Sequence, residues 1–248
     1  MAGHSHWHSI RYKKERADTK RSQIFAKLSR MITVAAREGG GDPDLNPRLA
    51  LAIERAKEYN IPLENIERAI KKGTGELETE RLEEVLYEGY GPGNVAVIVE
   101  AITDNKNRTL SELKQIFSQY GGKLVETGAV KWMFERKGVI TMNLNQEILK
   151  GLSREQKKEK LELLAIEAGA EDIYWHSGKI DVYVKPEELK KTREKLEKEG
   201  LKIEEVSLDW VPKNYHEVSS EDREKIQKFF ETLDENDSVQ EIYSNLKE

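Results

Sequence analysis

Residues 139–144, Val-Ile-Thr-Met-Asn-Leu, open the stretch that decides the fold. Their apolar, partly β-branched character reads as a strand, and residues 154–168 after them read as a helix. A hairpin follows, Ile173-Tyr174-Trp175 and Ile180-Asp181-Val182-Tyr183-Val184. A second helix opens at Pro186 and runs to about residue 199, and residues 202–208 form a last strand. That order, β-α-β-β-α-β, is the ferredoxin-like split unit.

Outward from it, residues 95–102 read as another strand. Thr109 with Glu112 has the spacing of a capping box for a helix running to about Tyr120. Gly121-Gly122 turns the chain into residues 123–125 and 130–134, expected as one strand interrupted near Gly128. In the tail, residues 207–211 (strand), 219–233 (helix) and 239–243 (strand) complete a second set of the same kind.

Further toward the N-terminus the apolar spacing becomes helical. Ile24, Phe25, Leu28, Met31, Ile32 and Ala35 line one face of a helix that glycines 39–41 stop. Asn46-Pro47 starts a second helix with Ala50, Ile53 and Ala56 inward. A third follows Pro62, with Leu63, Ile66, Ala69 and Ile70 inward and Gly73 closing it. The expected fold is α+β and multidomain: an N-terminal three-helix domain followed by two ferredoxin-like α/β domains, one inserted in the other. The expected domains are residues 1–78 (basic arm plus helices), 79–136 with 207–248 (discontinuous), and 137–206 (inserted), with residues 76–84 as an acidic linker.

Charge is divided unevenly. Residues 1–30 hold eight basic side chains (Arg11, Lys13, Lys14, Arg16, Lys20, Arg21, Lys27, Arg30) against Glu15 and Asp18. That is a net +6, so the remainder carries −11 of the total −5. A basic head on an acidic body points to a polyanionic partner for the head alone. Arg68, Lys71 and Lys72 extend this surface, and Trp7 beside the arm's cations suits base stacking with phosphate pairing. The alternative role for Trp7 and Tyr12 is to pin the arm to its own body.

The other candidate chemistries are weaker. His4, His6 and His8 alternate on an irregular arm with no carboxylate framework, so no metal is assigned. Residues 88–94, Glu-Gly-Tyr-Gly-Pro-Gly-Asn, lack the Lys-Ser/Thr of a phosphate loop and read as a turn entering a strand. Residues 104–109 lie at a helix start, where amide N–H groups attract anions and Arg108 offers a bidentate phosphate contact. The same residues serve equally as turn and cap. Ser111 and Lys114 have Ser-x-x-Lys spacing without companion motifs, and His176 and His216 have no nucleophile nearby in sequence. No enzyme emerges and no cofactor is assigned. The chain has no cysteine, which removes disulfides and thiolate sites. No apolar run approaches a bilayer span and no secretory h-region opens the chain, so a cytoplasmic protein without a membrane partner is expected.

Several of these blocks together resemble the YebC family, which includes mitochondrial translational activators. They are residues 3–10 (Gly-His-Ser-His-Trp-His-Ser-Ile) with the basic run after them, Asn46-Pro47 through Arg68-Ala69-Ile70-Lys71-Lys72-Gly73, residues 87–93, residues 103–109, and Gly121-Gly122. His6 departs from the lysine common there. The resemblance implies a three-domain fold with a helical first domain. It further implies either a DNA-binding transcriptional regulator or a ribosome-associated translation factor that assists elongation at stalling sequences. Both need a polyanion-binding surface, so the partner expected is nucleic acid, DNA or ribosomal RNA, with no small-molecule substrate.

Overall fold

A computed structural model describes residues 18–78, 81–176 and 178–247, without the side chains of 18–20. The described chain divides into two compact units. One comprises residues 18–131 with 218–242, and the other residues 132–217 with 243–247.

In the first unit, α1 (Asp18–Gly39), α2 (Pro47–Glu58) and α3 (Leu63–Thr74) form the helical head. Its core is Ile24, Leu28, Ile32, Ala35 and Ala36 from α1, with Leu49, Ala52 and Ala56 from α2 and Ile66 and Ala69 from α3. The inward stripe of α2 therefore sits one residue ahead of the expected one, leaving Ala50 and Ile53 half-buried. Leu63 faces outward at 61% exposure. Asn46 caps α2, accepting the Leu49 N–H at 3.1 Å while its amide donates to the Ala35 carbonyl. α3 ends at Gly75, which takes the left-handed conformation (φ 84°), rather than at Gly73. Gly73 has another task. A Cβ there would lie 2.4 Å from the Thr33 carbonyl oxygen, so only glycine lets α3 approach α1 this closely.

The same unit holds the sheet β3-β1-β2-β8, formed by β1 (Glu83–Tyr90), β2 (Ala96–Thr103), β3 (Lys123–Val125) and β8 (Val239–Ser244). α4 (Lys106–Gln119) packs against β1 and β3, and α7 (Ser220–Asp234) packs against α4. Phe117 and Phe229 meet edge to face at 4.8 Å between these helices. Three expectations are corrected here. Residues 83 and 84 are not linker but the start of β1, a central strand hydrogen-bonded on both sides. Residues 130–134 are not a strand, because residues 131–133 form a single 3₁₀ turn and Phe134 begins the next domain's sheet. α4 starts at Lys106, capped by Asn105, whose side chain accepts the Arg108 N–H at 3.0 Å. Thr109 is instead buried, bonded to Thr103 and Ser238.

The second unit is the β-α-β-β-α-β set: β4 (Phe134–Asn143), α5 (Arg154–Ala168), β5 (Asp172–His176), β6 (Lys179–Val184), α6 (Leu189–Lys198) and β7 (Glu205–Pro212). Its sheet order is β5-β6-β4-β7, antiparallel at every pairing. α5 has the extent read from the sequence because Ser153 and Gln156 form a reciprocal capping box. Residues 202–208 and 207–211, expected as strands of two different sheets, contribute to a single strand that begins only at Glu205. β7 pairs with β4 from Thr141↔Glu205 to Phe134↔Pro212. The first sheet is therefore built as β-β-α-β followed, after the inserted unit, by α-β.

Candidate nucleic-acid interface

The basic residues of the head fall into two sets with different surroundings. The first is engaged inward. Lys27, 5% exposed, donates to the Asp234 carbonyl at 2.5 Å and to its carboxylate at 3.0 Å. Arg30 donates to the Asp237 carbonyl. Arg48 pairs with Glu38 and Glu84, and Arg55 with Glu241 at 2.5 Å. Burial works against the Arg48 charge, and the pairing with Glu84 and then Glu38 outweighs it, so its guanidinium is held more firmly protonated.

Arg108, outside the head on α4 and half exposed, is also paired, within its own helix start. It donates to Asp104 at 2.5 Å and lies 3.9 Å from Glu112. The Asp104 carboxyl is held below its usual range, first by its own backbone N–H and then, against some desolvation, by Arg108 and Arg30. Of the two expected roles for residues 104–109, turn and cap is the one whose bonds are formed: Asn105 caps α4 and Arg108 is paired internally.

The second set faces outward. On α3, Arg68 and Lys71 are exposed and Lys72 is half-buried. None of the three has an ion-pair or side-chain hydrogen-bond partner among the described residues. On α1, the Arg21 guanidinium stacks over Phe25 at 5.4 Å from the ring centroid. Between the two helices runs a groove of about 270 Å³. Phe25, Ala26 and Ser29 form its α1 wall, Asn65, Arg68 and Lys72 its α3 wall, and Ile61 and Ala69 its floor. The helices touch where Gly73 meets Thr33, and Thr33 Oγ1 donates to the Ala69 carbonyl at 3.1 Å. Away from that contact they part and leave the groove open.

Of the remaining expected residues, Trp7, Arg11, Lys13, Lys14 and Arg16 lie outside the described residues, as does the side chain of Lys20. Phe25, Ser29 and Asn65 were not singled out by sequence. Neither was Glu88, whose buried carboxylate accepts the N–H groups of Gly128, Val130 and Lys131 at 2.6, 2.7 and 2.7 Å and so fixes that loop. The glycine-rich turn after it is structural, with Gly91 N–H closing on the Val95 carbonyl at 2.8 Å and Gly93 at φ 64°.

The residues weighed for catalysis have structural surroundings. The Ser111 hydroxyl donates to the Asn107 carbonyl one turn back. His176 lies 2.9 Å from Asp181, whose other oxygen accepts from Thr141 inside the sheet. No described helix is long and apolar enough to cross a membrane.

Residues 5–76 match the family described as TACO1/YebC protein N-terminal domain, and residues 82–246 match TACO1/YebC second and third domain. The chain belongs to the TACO1/YebC family. Among its relatives is a probable transcriptional regulatory protein of Caldanaerobacter subterraneus, 49% identical over 100% of this chain and 98% of that one. Another of that description, from Thermotoga maritima, is 49% identical over 100% and 94%. The crystal structure of a conserved hypothetical protein from Aquifex aeolicus superposes with a TM-score of 0.82 at 46% identity, covering 94% of this chain and 93% of that one.

Proposed function

We propose that this chain is a cytoplasmic, non-enzymatic nucleic-acid-binding regulator of gene expression, and that the outward face of α1 and α3 is the described part of its contact surface. One observation carries this reading. Arg68, Lys71 and Lys72 stand on that face without an ion-pair or side-chain hydrogen-bond partner among the described residues, while Lys27, Arg48, Arg55 and Arg108 are all paired with carboxylates. Exposed cations of this kind are available to pair with the phosphates of a nucleic-acid chain. The arm, with Trp7, Arg11, Lys13, Lys14, Arg16 and Lys20, adds to the same surface in this reading.

The relatives' descriptions as probable transcriptional regulatory proteins favour DNA as the target. The test is titration of promoter fragments and scrambled duplexes at several salt concentrations. Binding that weakens with salt is the expected result; no binding to any duplex or RNA at low salt overturns the proposal.

A second reading, a ribosome-associated translation factor, is favoured by a specific feature of α3. Glu64 and Glu67 are exposed on the N-terminal half of that helix, where a recognition helix approaches bases and phosphates. Two carboxylates there oppose insertion into a major groove, and structured RNA makes no such demand. Sedimentation of lysate through a sucrose gradient at low salt separates the readings: migration with ribosomes supports the second, and recovery only at the top removes it.

A further inference from the structure

We infer that the α1/α3 groove holds one unpaired nucleotide, so that the head selects nucleic acid with a bulged or flipped-out base over a continuous duplex. This rests on the proposed nucleic-acid binding and specifies what it recognises. The groove's lining is mixed in chemistry. Phe25 is half-buried, backed by the head's core, and carries the Arg21 guanidinium over its ring at 5.4 Å. Ser29 and Asn65 add a hydroxyl and an amide to the lining, and Arg68 and Lys72 add two cations. A ligand matching this lining has a flat, uncharged face, polar edges and an anionic link. A nucleobase on its sugar–phosphate backbone has that form: its flat face against the Phe25–Arg21 pair, its edge for Asn65 and Ser29, its phosphates for Arg68 and Lys72.

Size and access point the same way. At about 270 Å³ the groove falls just below the roughly 300–1,000 Å³ of drug-sized ligand sites, which fits one nucleotide and no longer segment. A base inside a duplex presents only its edges, so a regular duplex reaches Arg68 and Lys72 with its phosphates and leaves the groove empty. Ala26, exposed on the α1 wall, is what keeps the entrance wide.

The full chain is titrated by fluorescence anisotropy with three short probes, each in DNA and RNA form: an intact duplex, the same duplex with one unpaired adenosine, and the same with an abasic bulge. The expected result is binding about tenfold tighter to the adenosine bulge than to the other two. Phe25→Leu, which removes the ring but keeps an apolar side chain against the core, and Ala26→Leu, which fills the entrance at an exposed site, are expected to abolish that preference, so that each variant binds the adenosine bulge no tighter than the intact duplex. Equal binding of all three probes by the unaltered chain overturns the groove assignment and leaves charge-driven binding standing. Retention of the preference in both variants overturns the assignment as well. Absence of binding to every probe overturns the underlying reading together with this one.

Discussion

The two faces of the helical head carry similar cations and use them oppositely. On the side toward the sheet of the same unit, Lys27, Arg48 and Arg55 each meet a carboxylate of the acidic body, Asp234, Glu84 and Glu241. On the outer side, Arg68, Lys71 and Lys72 meet none among the described residues. The charge asymmetry of the sequence is therefore not a simple separation of a positive end from a negative remainder. Part of the positive charge is neutralised where the head joins the sheet, and three cations on α3, beside α1, have no such partner among the described residues. A cation's neighbours, more than its presence in a basic segment, decide whether it holds the head in place or meets a partner.

The difference can be broken in three ways. The largest effect is expected from Gly73→Ala, because the added Cβ lies 2.4 Å from the Thr33 carbonyl and 2.7 Å from the Ala36 side chain. Forcing α3 off α1 should cost about 3 kcal/mol, read from the denaturant midpoint, and should weaken nucleic-acid binding at the same time. A midpoint unchanged by the substitution would show that the two helices do not need this contact. Next, Lys27→Ala should cost about 2 kcal/mol of stability, below the value for a fully buried pair because Asp234 is a quarter exposed. Its effect on affinity should be within about twofold, since the lysine already has its anion. Arg68→Ala should do the reverse: roughly tenfold weaker binding at low salt with melting temperature unchanged. If Lys27→Ala lowers affinity as much as Arg68→Ala, the division between inward and outward cations fails.

Much of the architecture was legible in residue spacing. α1 was readable because a continuous apolar face and glycines 39–41 mark it. β1 was hidden by Glu83, Glu84 and Glu88, which read as an acidic linker and turn. Glu84 is paired with Arg48, and Glu88 is buried because three backbone N–H groups of a distant loop satisfy it. Neither compensation shows in local sequence. β7 was split in two because residues 202–212 alternate well enough to serve either sheet, and only pairing with β4 assigns them. At the candidate site, charge alone marked Arg68, Lys71 and Lys72. The groove was not readable, since Phe25 and Asn65 come together only through the packing of α1 on α3 around Gly73. The burial of Lys27 was not readable because the segment that covers it, near Asp234, lies at the opposite end of the chain.

The most direct test compares the salt dependence of binding for the unaltered chain and for the triple variant Arg68→Ala, Lys71→Ala, Lys72→Ala. Each phosphate contact on duplex DNA contributes about 0.9 to the slope of log affinity against log salt. The slope should become shallower by about 2 to 3, with far-ultraviolet dichroism and melting temperature unchanged. An unaltered slope at undiminished affinity would contradict the account: the outer face of α1 and α3 would then not be where the nucleic acid lies.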